Sequence, residues 1–365
     1  MFPITGLLMA HGTAALLQFP MLGYWLAFPT LLVIMERLFR VACGFHRMTG
    51  KIEVLDADTV AITVMIPGYR YWPYKAGQYI FLQVPKLSLL QWHPFTISTC
   101  IGNEMKVHIK TDGDWTSKLR DLAKEGEAIQ VGVNGPFGAP AQRFYEFDQS
   151  IILGSGIGVT PFSGILADLQ ERDDRRHARV TSASRPESEK LSSSSSEEEE
   201  VYRRVDFHWI VKDRNYLLWF SDLLNKISSS QTSHASEENP HLDVRITTHV
   251  TQKRKAISTH VYRYLLELHR TNSHPVSPLT GLLNPTHFGR PDLGQIMDEY
   301  HESLLKLYKE AAEKGRDMGK RKVGVFFCGA PPIGYELADR CQLLTLRGRE
   351  DKSLIEYHFM MEVFG

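Results

Sequence analysis

The chain has 365 residues, enough for two domains that each bury a core, with a short extra segment beside them. Its 42 Lys and Arg balance 42 Asp and Glu, so the formal charge is zero; a nucleic-acid partner gains no support, and any anion site must be local. Four scattered cysteines (Cys43, Cys100, Cys328, Cys341) lack C-x-x-C or Cys/His ligand spacing, which argues against a zinc site or a secreted disulfide framework and for a reducing, cytosolic setting.

Residues 1–11 are apolar and read as the last turns of an earlier helix cut off where the sequence starts; an imidazole at His11 is either a haem ligand or an interfacial polar residue. No charged side chain occurs from Gly12 to Met35, and Ala14 to Met35 is long enough to cross a bilayer, a setting that tolerates Pro20 and Pro29. Arg37, Arg40, Arg47 and Lys51 follow this stretch and no Lys or Arg precedes it, so the positive-inside rule sets the rest of the chain in the cytosol. Residues 1–40 are therefore expected to be the end of a membrane domain with one transmembrane helix.

Residues 41–145 carry short runs of period two, such as Val60-Ile62-Val64-Ile66, Val107-Ile109 and Ile129-Val131-Val133, closed by Gly, Pro or Asp. Five or six such strands predict an antiparallel β-barrel. Over residues 146–365 strands alternate with helices, which predicts a parallel sheet covered on both faces. Two polar stretches interrupt it. Residues 173–204, with Ser192 to Ser196 ahead of Glu197 to Glu200, read as a disordered insertion open to acid-directed kinases, and Ser228 to Asn239 as a shorter loop.

Several motifs carry chemistry. His93-Pro94-Phe95-Thr96-Ile97-Ser98-Thr99 alone reads as an edge strand ended by Pro94. In the company of the motifs that follow, it reads as a flavin seat, with hydroxyls at Thr96, Ser98 and Thr99 for the ring and His93 with Lys110 for a pyrophosphate. His108-Ile109-Lys110 and Trp115-Thr116 add a basic residue on a strand and a hydroxyl at the start of a short helix. Gly154, Gly156 and Gly158, followed by Thr160 and Pro161, run from a buried strand into a helix, so that backbone N–H groups can approach a phosphate. No acid ends the next strand; Lys212 does, which suits a nucleotide with a 2′-phosphate. Cys328-Gly329 ends a late strand at the edge where open α/β sheets bind ligands.

Taken together, W-H-P-F-T at 92–96, H-I-K with G-D-W-T at 108–116, G-P-F-G at 135–138, G-I-G-V-T-P-F at 156–162, F-G-R-P at 288–291 and F-C-G at 327–329 resemble the NADPH oxidase family, within the ferric reductase-like superfamily. The resemblance implies an FAD-binding β-barrel followed by an NADPH-binding α/β domain, ferredoxin reductase-like, behind a transmembrane helix. It implies that His93 to Thr99, His108, Lys110, Trp115 and Thr116 hold FAD, with Thr96 near the flavin ring. Gly154, Gly156, Gly158, Thr160 and Pro161 would hold the NADPH pyrophosphate, Lys212 and Arg290 its 2′-phosphate, with Thr251 lining the same cleft. Cys328 and Gly329 would lie beside the nicotinamide, Phe364 would stack over the flavin, and His11 would be a haem ligand whose partners are not in this chain.

The implied activity passes a hydride from NADPH to FAD and then single electrons onward, in a complete protein through haem to oxygen, giving superoxide. Its implied setting is a membrane with the dehydrogenase region in the cytosol and regulatory cytosolic proteins as partners. The alternatives are a ferric or cupric reductase and a catalytically silent interaction subunit. Lys110 and Lys212 stand where the family commonly has Arg, which keeps the charge and loses the bidentate fork.

Overall fold

A computed structural model of the chain describes residues 21–45, 47–124, 128–183, 202–233, 241–252, 257–268, 270–271, 274–313 and 321–362. It opens on helix α1 (Met21–Phe45), which has Pro29 inside it. The expected membrane-crossing helix is not met among these residues, where no helix is long and apolar enough to cross a membrane. Within the described residues helix α1 runs from Met21 past Met35, taking in Glu36, Arg37 and Arg40, whereas His11 and residues 14–20 lie outside the described part.

Seven strands then form one antiparallel sheet: β1 (Arg47–Val54), β2 (Thr59–Met65), β3 (Tyr79–Gln83), β4 (His93–Thr96), β5 (Thr99–Ile101), β6 (Glu104–Lys110) and, after helix α2 (Asp114–Lys124), β7 (Ala128–Phe137). The strand order is β4-β3-β7-β1-β2-β6-β5, so β4 and β5 are the two edges. Alternation decides which side chains are inside: Val60, Ile62, Val64, Val107, Ile109, Val131 and Val133 meet in one core with Leu119 and Trp115 of α2. The expected antiparallel barrel is met as a half-barrel, its ladder open between β4 and β5 and bridged there by backbone hydrogen bonds. Ile97 donates its N–H to Gln78 O (3.0 Å) beside β3, and Ser98 to Lys106 O (2.9 Å) on β6, so the two residues between β4 and β5 join both edges.

The second half is a parallel sheet. Its elements are β8 (Gln149–Ser155), α3 (Thr160–Ala183), β9 (Arg203–Val211), α4 (Ser221–Ser233), β10 (Leu242–Val250), α5 (Ile257–Leu268), β11 (Thr286–Phe288), α6 (Leu293–Glu313), β12 (Lys322–Cys328), α7 (Pro331–Glu350) and β13 (Glu356–Glu362). Neighbouring residues of one strand face opposite cores. Ile152 and Phe207 pack on one side with Phe162, Ile165 and Leu224, while Ile151 and Leu153 pack on the other with Met297, Leu304, Leu337 and Leu344. Truncating a core aromatic such as Phe207 to Ala would cost about 3–5 kcal/mol. The order β11-β10-β9-β8-β12-β13 reverses between β8 and β12, which opens a crevice at their carboxyl ends.

The expected insertion at 173–204 is structured at both ends. Residues 173–183 are the last turns of α3, and Asp173 is only 2 % exposed because His177, His241 and Ser230 converge on its carboxylate at 3.2, 3.0 and 2.9 Å. At the other end Arg204 is equally buried in β9, where it donates to Asp206 (2.8 and 3.1 Å) and Ser303 (2.8 Å). Residues 184–201, with the serine–glutamate run, lie outside the described part. The polar loop expected at 228–239 begins later too, since α4 runs to Ser233.

Candidate functional site

The stretch 93–99 crosses from one edge of the antiparallel sheet to the other. Pro94 sits inside edge strand β4, where its missing N–H leaves no ladder bond unmade on the outer side. Period two turns His93 and Phe95 to one face, against Trp115 at the start of α2, with ring centroids 4.3 and 6.0 Å apart. Thr96 is buried, and its Oγ1 finds no hydrogen-bond partner in the chain; neither do His93 Nε2 and Trp115 Nε1. Burial also lowers the His93 pKa, which favours the neutral ring.

Other residues of the seat are already committed. Ile97 is fully buried in the core, and its N–H is committed to Gln78 O. Ser98 Oγ accepts from the His108 N–H (3.2 Å), and the Thr116 hydroxyl is spent on Gly113, accepting from its N–H (2.9 Å) and donating to its carbonyl (3.0 Å). Lys110 pairs with Asp112 at 2.7 Å. His108 does not join the aromatic cluster; its ring packs on Phe220 (4.6 Å), where burial and then the Lys106 charge pull its pKa down to about 3.

The phosphate-side motifs converge at the switch point. Gly154 and Cys328 are paired in register, and a Cβ on Gly158 would stand 2.3 Å from Cys328 O and 3.1 Å from its Sγ. Only glycine permits that approach. Gly156 is different: its φ of +56° requires the left-handed region, nothing lies within 4 Å of its missing Cβ, and its carbonyl accepts from Trp209 Nε1 (3.0 Å). Gly329 backs onto Ser155, with 2.4 Å from a built Cβ to the Ser155 Cβ. The first turn of α3, after Thr160 and Pro161, docks on the flavin-seat stretch, where Ser163 Oγ donates to Ser98 O at 2.8 Å. The structure thus brings the glycine turn against Cys328 and the helix that follows it against 97–98.

Lys212 and Thr251 follow β9 and β10 and are held by the Thr251 N–H on Val211 O (2.8 Å) and the Gln252 N–H on Lys212 O (3.0 Å). Arg290 follows β11 on the same carboxyl edge, where the Gly289 N–H donates to Val250 O (2.9 Å), and Lys212 and Arg290 are both exposed. Phe364 lies outside the described residues.

Sequence reasoning missed Glu362. It pairs in register with Cys328, is 7 % exposed, and has a carboxyl that burial raises to about 7 against the pull of the Ala141 N–H. Burial, with the Glu362 charge adding to it, likewise raises the Cys328 thiol, so that side chain stays protonated. The available signal was a lone acid in the apolar run 359–364. A wide cleft of about 980 Å³ is lined by Tyr74 and Cys100 of the first half and by Gly164 and Arg172 of the second. The orphaned polar atoms of the seat and the glycine approach at the switch point fit a flavin and a dinucleotide phosphate, respectively.

Residues 45–141 match the family model described as FAD-binding domain, and residues 147–342 that described as ferric reductase NAD binding domain. Among curated relatives, a superoxide-generating NADPH oxidase heavy chain of Dictyostelium discoideum is 29 % identical over 349 residues, covering 91 % of this chain and 58 % of the relative. A second such heavy chain of the same organism is 26 % identical, covering 93 % and 45 %, and dual oxidase 2 of Homo sapiens is 26 % identical, covering 97 % and 20 %. The chain therefore spans less than two thirds of the length of these relatives. A flavohemoglobin from Malassezia yamatoensis with bound FAD and heme is similar at 15 % identity and a TM-score of 0.49, over 99 % of this chain and 72 % of that one.

Proposed function

Because this chain belongs to the family of the ferric reductase NAD binding domain and carries an FAD-binding domain directly ahead of it, we propose that it is the dehydrogenase part of a flavoprotein oxidoreductase that uses NADPH. The observation that carries this reading is the β8/β12 switch point, where a glycine turn packs on a protonated Cys328, Glu362 pairs with Cys328, and the helix that follows the turn docks on Ser98. When bound, FAD supplies hydride acceptance and one-electron release, which no side chain here provides.

The chain's own residues bind, orient and exclude water. In this reading Thr96 Oγ1 meets the flavin ring, and His93 Nε2 and Trp115 Nε1 meet its phosphate arm, since these are the side-chain polar atoms that the fold buries without partners around β4 and the start of α2. The glycine turn and the start of α3 take the nucleotide pyrophosphate. Lys212, Arg290 and Thr251, side by side at the ends of β9 to β11, take the 2′-phosphate end. Cys328 closes the floor of the crevice without charge, and Glu362 Oε2, buried and unpartnered, holds a proton there near neutral pH. The unit boundary near residue 145, FAD in the first unit and NADPH in the second belong to the same reading.

The onward acceptor is proposed to be oxygen, reached through haem outside this chain; the oxidase relatives support that direction, and the ferric reductase family supports a metal-ion acceptor as the second reading. Attachment to a membrane through α1 is supported by its apolar surface, with Trp25 73 %, Phe28 66 % and Leu38 64 % exposed. The test is to load the purified chain with FAD and supply NADPH with an artificial one-electron acceptor. Turnover is expected; a chain that takes up FAD and leaves NADPH unoxidised refutes the proposal.

A further inference from the structure

Two carboxylates at the tip of the β1–β2 hairpin reach across to the parallel-sheet half. Tyr216 donates its hydroxyl to both oxygens of Asp58 at 2.9 Å, and Trp219 Nε1 donates to Asp56 Oδ2 at 2.7 Å. The two rings stack on each other with centroids 4.7 Å apart. Asp56 and Asp58 lie close enough to repel, and the hairpin satisfies only part of their hydrogen-bonding capacity, through the Asp58 N–H on Asp56 Oδ1 (3.0 Å). Donors from the other half complete it, which makes this a specific clasp rather than an apolar contact. Burial is the largest influence on both groups: it holds the Asp56 carboxyl above its ordinary value, while at Asp58 the hydrogen bonds from Asp56 and Tyr216 and the Lys110 charge outweigh it and bring the carboxyl below.

The location of the clasp matters more than its strength. Tyr216 and Trp219 lie on the short 3₁₀ turn Arg214–Phe220, which begins two residues after Lys212 and is capped by Asp213 accepting from the Asn215 N–H (2.9 Å). Nothing but Asp213 separates the exposed Lys212 from a turn fastened to the antiparallel sheet. We infer that Tyr216 and Trp219 are positioning residues: by seating this turn on Asp58 and Asp56 they fix where Lys212 stands relative to the flavin-binding half, and so set the grip on a nucleotide 2′-phosphate. This rests on the proposed assignment of Lys212 to that phosphate. A long lysine on a loose turn pays the ordering entropy at binding, and a turn already pinned does not.

The test uses the full FAD-loaded chain and reads binding, not turnover: calorimetric Kd values for NADP⁺ and NAD⁺ with wild type, Tyr216→Phe, Lys212→Ala and the double variant. Tyr216→Phe keeps the ring stack and removes only the hydroxyl. It is expected to weaken NADP⁺ by about three- to tenfold, because part of a hydrogen bond to a charged group is transmitted to the neighbouring lysine, and to leave NAD⁺ within about twofold. In the Lys212→Ala background it should add nothing. Asp58→Asn, which still offers Tyr216 an oxygen acceptor, should retain NADP⁺ affinity that Asp58→Ala loses. Equal weakening of both nucleotides, or the same loss with and without Lys212, overturns the inference and leaves the clasp as interdomain glue. An unchanged NADP⁺ affinity in Tyr216→Phe, with a wild type that prefers NADP⁺ through Lys212, overturns the inference alone. A wild type that does not discriminate, or that ignores Lys212→Ala, overturns the 2′-phosphate assignment and this inference with it.

Discussion

Replacing Glu362 by Gln should make the protein less sensitive to rising pH. The carboxyl at the end of β13 is buried beside Cys328 and titrates at about 7 instead of its ordinary 4.5. A raised carboxyl pKa means that the native state holds the proton more tightly than the unfolded chain. Its contribution is therefore fully present below about pH 4.5 and is lost as pH rises through 7. The gap of roughly 2.5 units corresponds to about 3 kcal/mol over the whole range, and to about 2–3 kcal/mol between pH 5 and pH 8. Gln keeps the size and can still accept from the Ala141 N–H, but it has no charge to bury. Urea unfolding of both proteins at pH 5 and pH 8 should show Glu362→Gln gaining on the wild type by that amount at the higher pH, while titrations elsewhere cancel in the comparison. Parallel pH profiles for the two proteins would refute the buried, neutral-range carboxyl.

Gly158→Ala and Gly156→Ala should part company. The first drives a methyl into the Cys328 carbonyl at 2.3 Å and should deform the crevice, abolishing nucleotide binding with FAD retained; the second meets no atom and should cost only about 1 kcal/mol of backbone strain, read by thermal unfolding. Replacing Lys212 and Arg290 together by Ala should raise the KM for NADPH and leave NADH almost untouched, by no more than a few kcal/mol in total because both side chains are exposed. Asp206→Ala should lower stability by about 3–5 kcal/mol in urea unfolding, because it strands the Arg204 guanidinium, 2 % exposed, between Ser303 and the face of Tyr300, 4.7 Å from its ring centre.

The motifs were legible because each lies where a local pattern changes. The glycine turn marks a strand becoming a helix, Cys328-Gly329 marks a strand end, and the parallel sheet predicted from alternating strands and helices put both on one edge. What could not be read depends on partners distant in sequence. Residues 173–183 look like the start of a solvated insertion by composition, yet Asp173 is drawn inside by Ser230 and His241, which the linear pattern does not link to it. Glu362 has no neighbouring motif, and only the β12–β13 register sets it against Cys328. His108 belongs by spacing to the flavin motif, but the docking of the two halves turns its ring onto Phe220. Thr116 offered a free hydroxyl on paper, and the start of α2 consumed it. The apolar run 14–35 carries no signal for where its helix ends, and α1 continues through Glu36 and Arg37 to Phe45.

The central claim is that nucleotide and flavin meet at the β8/β12 crevice, and anaerobic mixing of the FAD-loaded chain with NADPH tests it most directly. The flavin absorbance should bleach in one phase, more slowly when the transferred C4 hydrogen of NADPH is replaced by deuterium, and Gly158→Ala should suppress the bleaching while still carrying FAD. Bound flavin that keeps its absorbance in excess NADPH, or that bleaches equally fast in Gly158→Ala, would contradict the account.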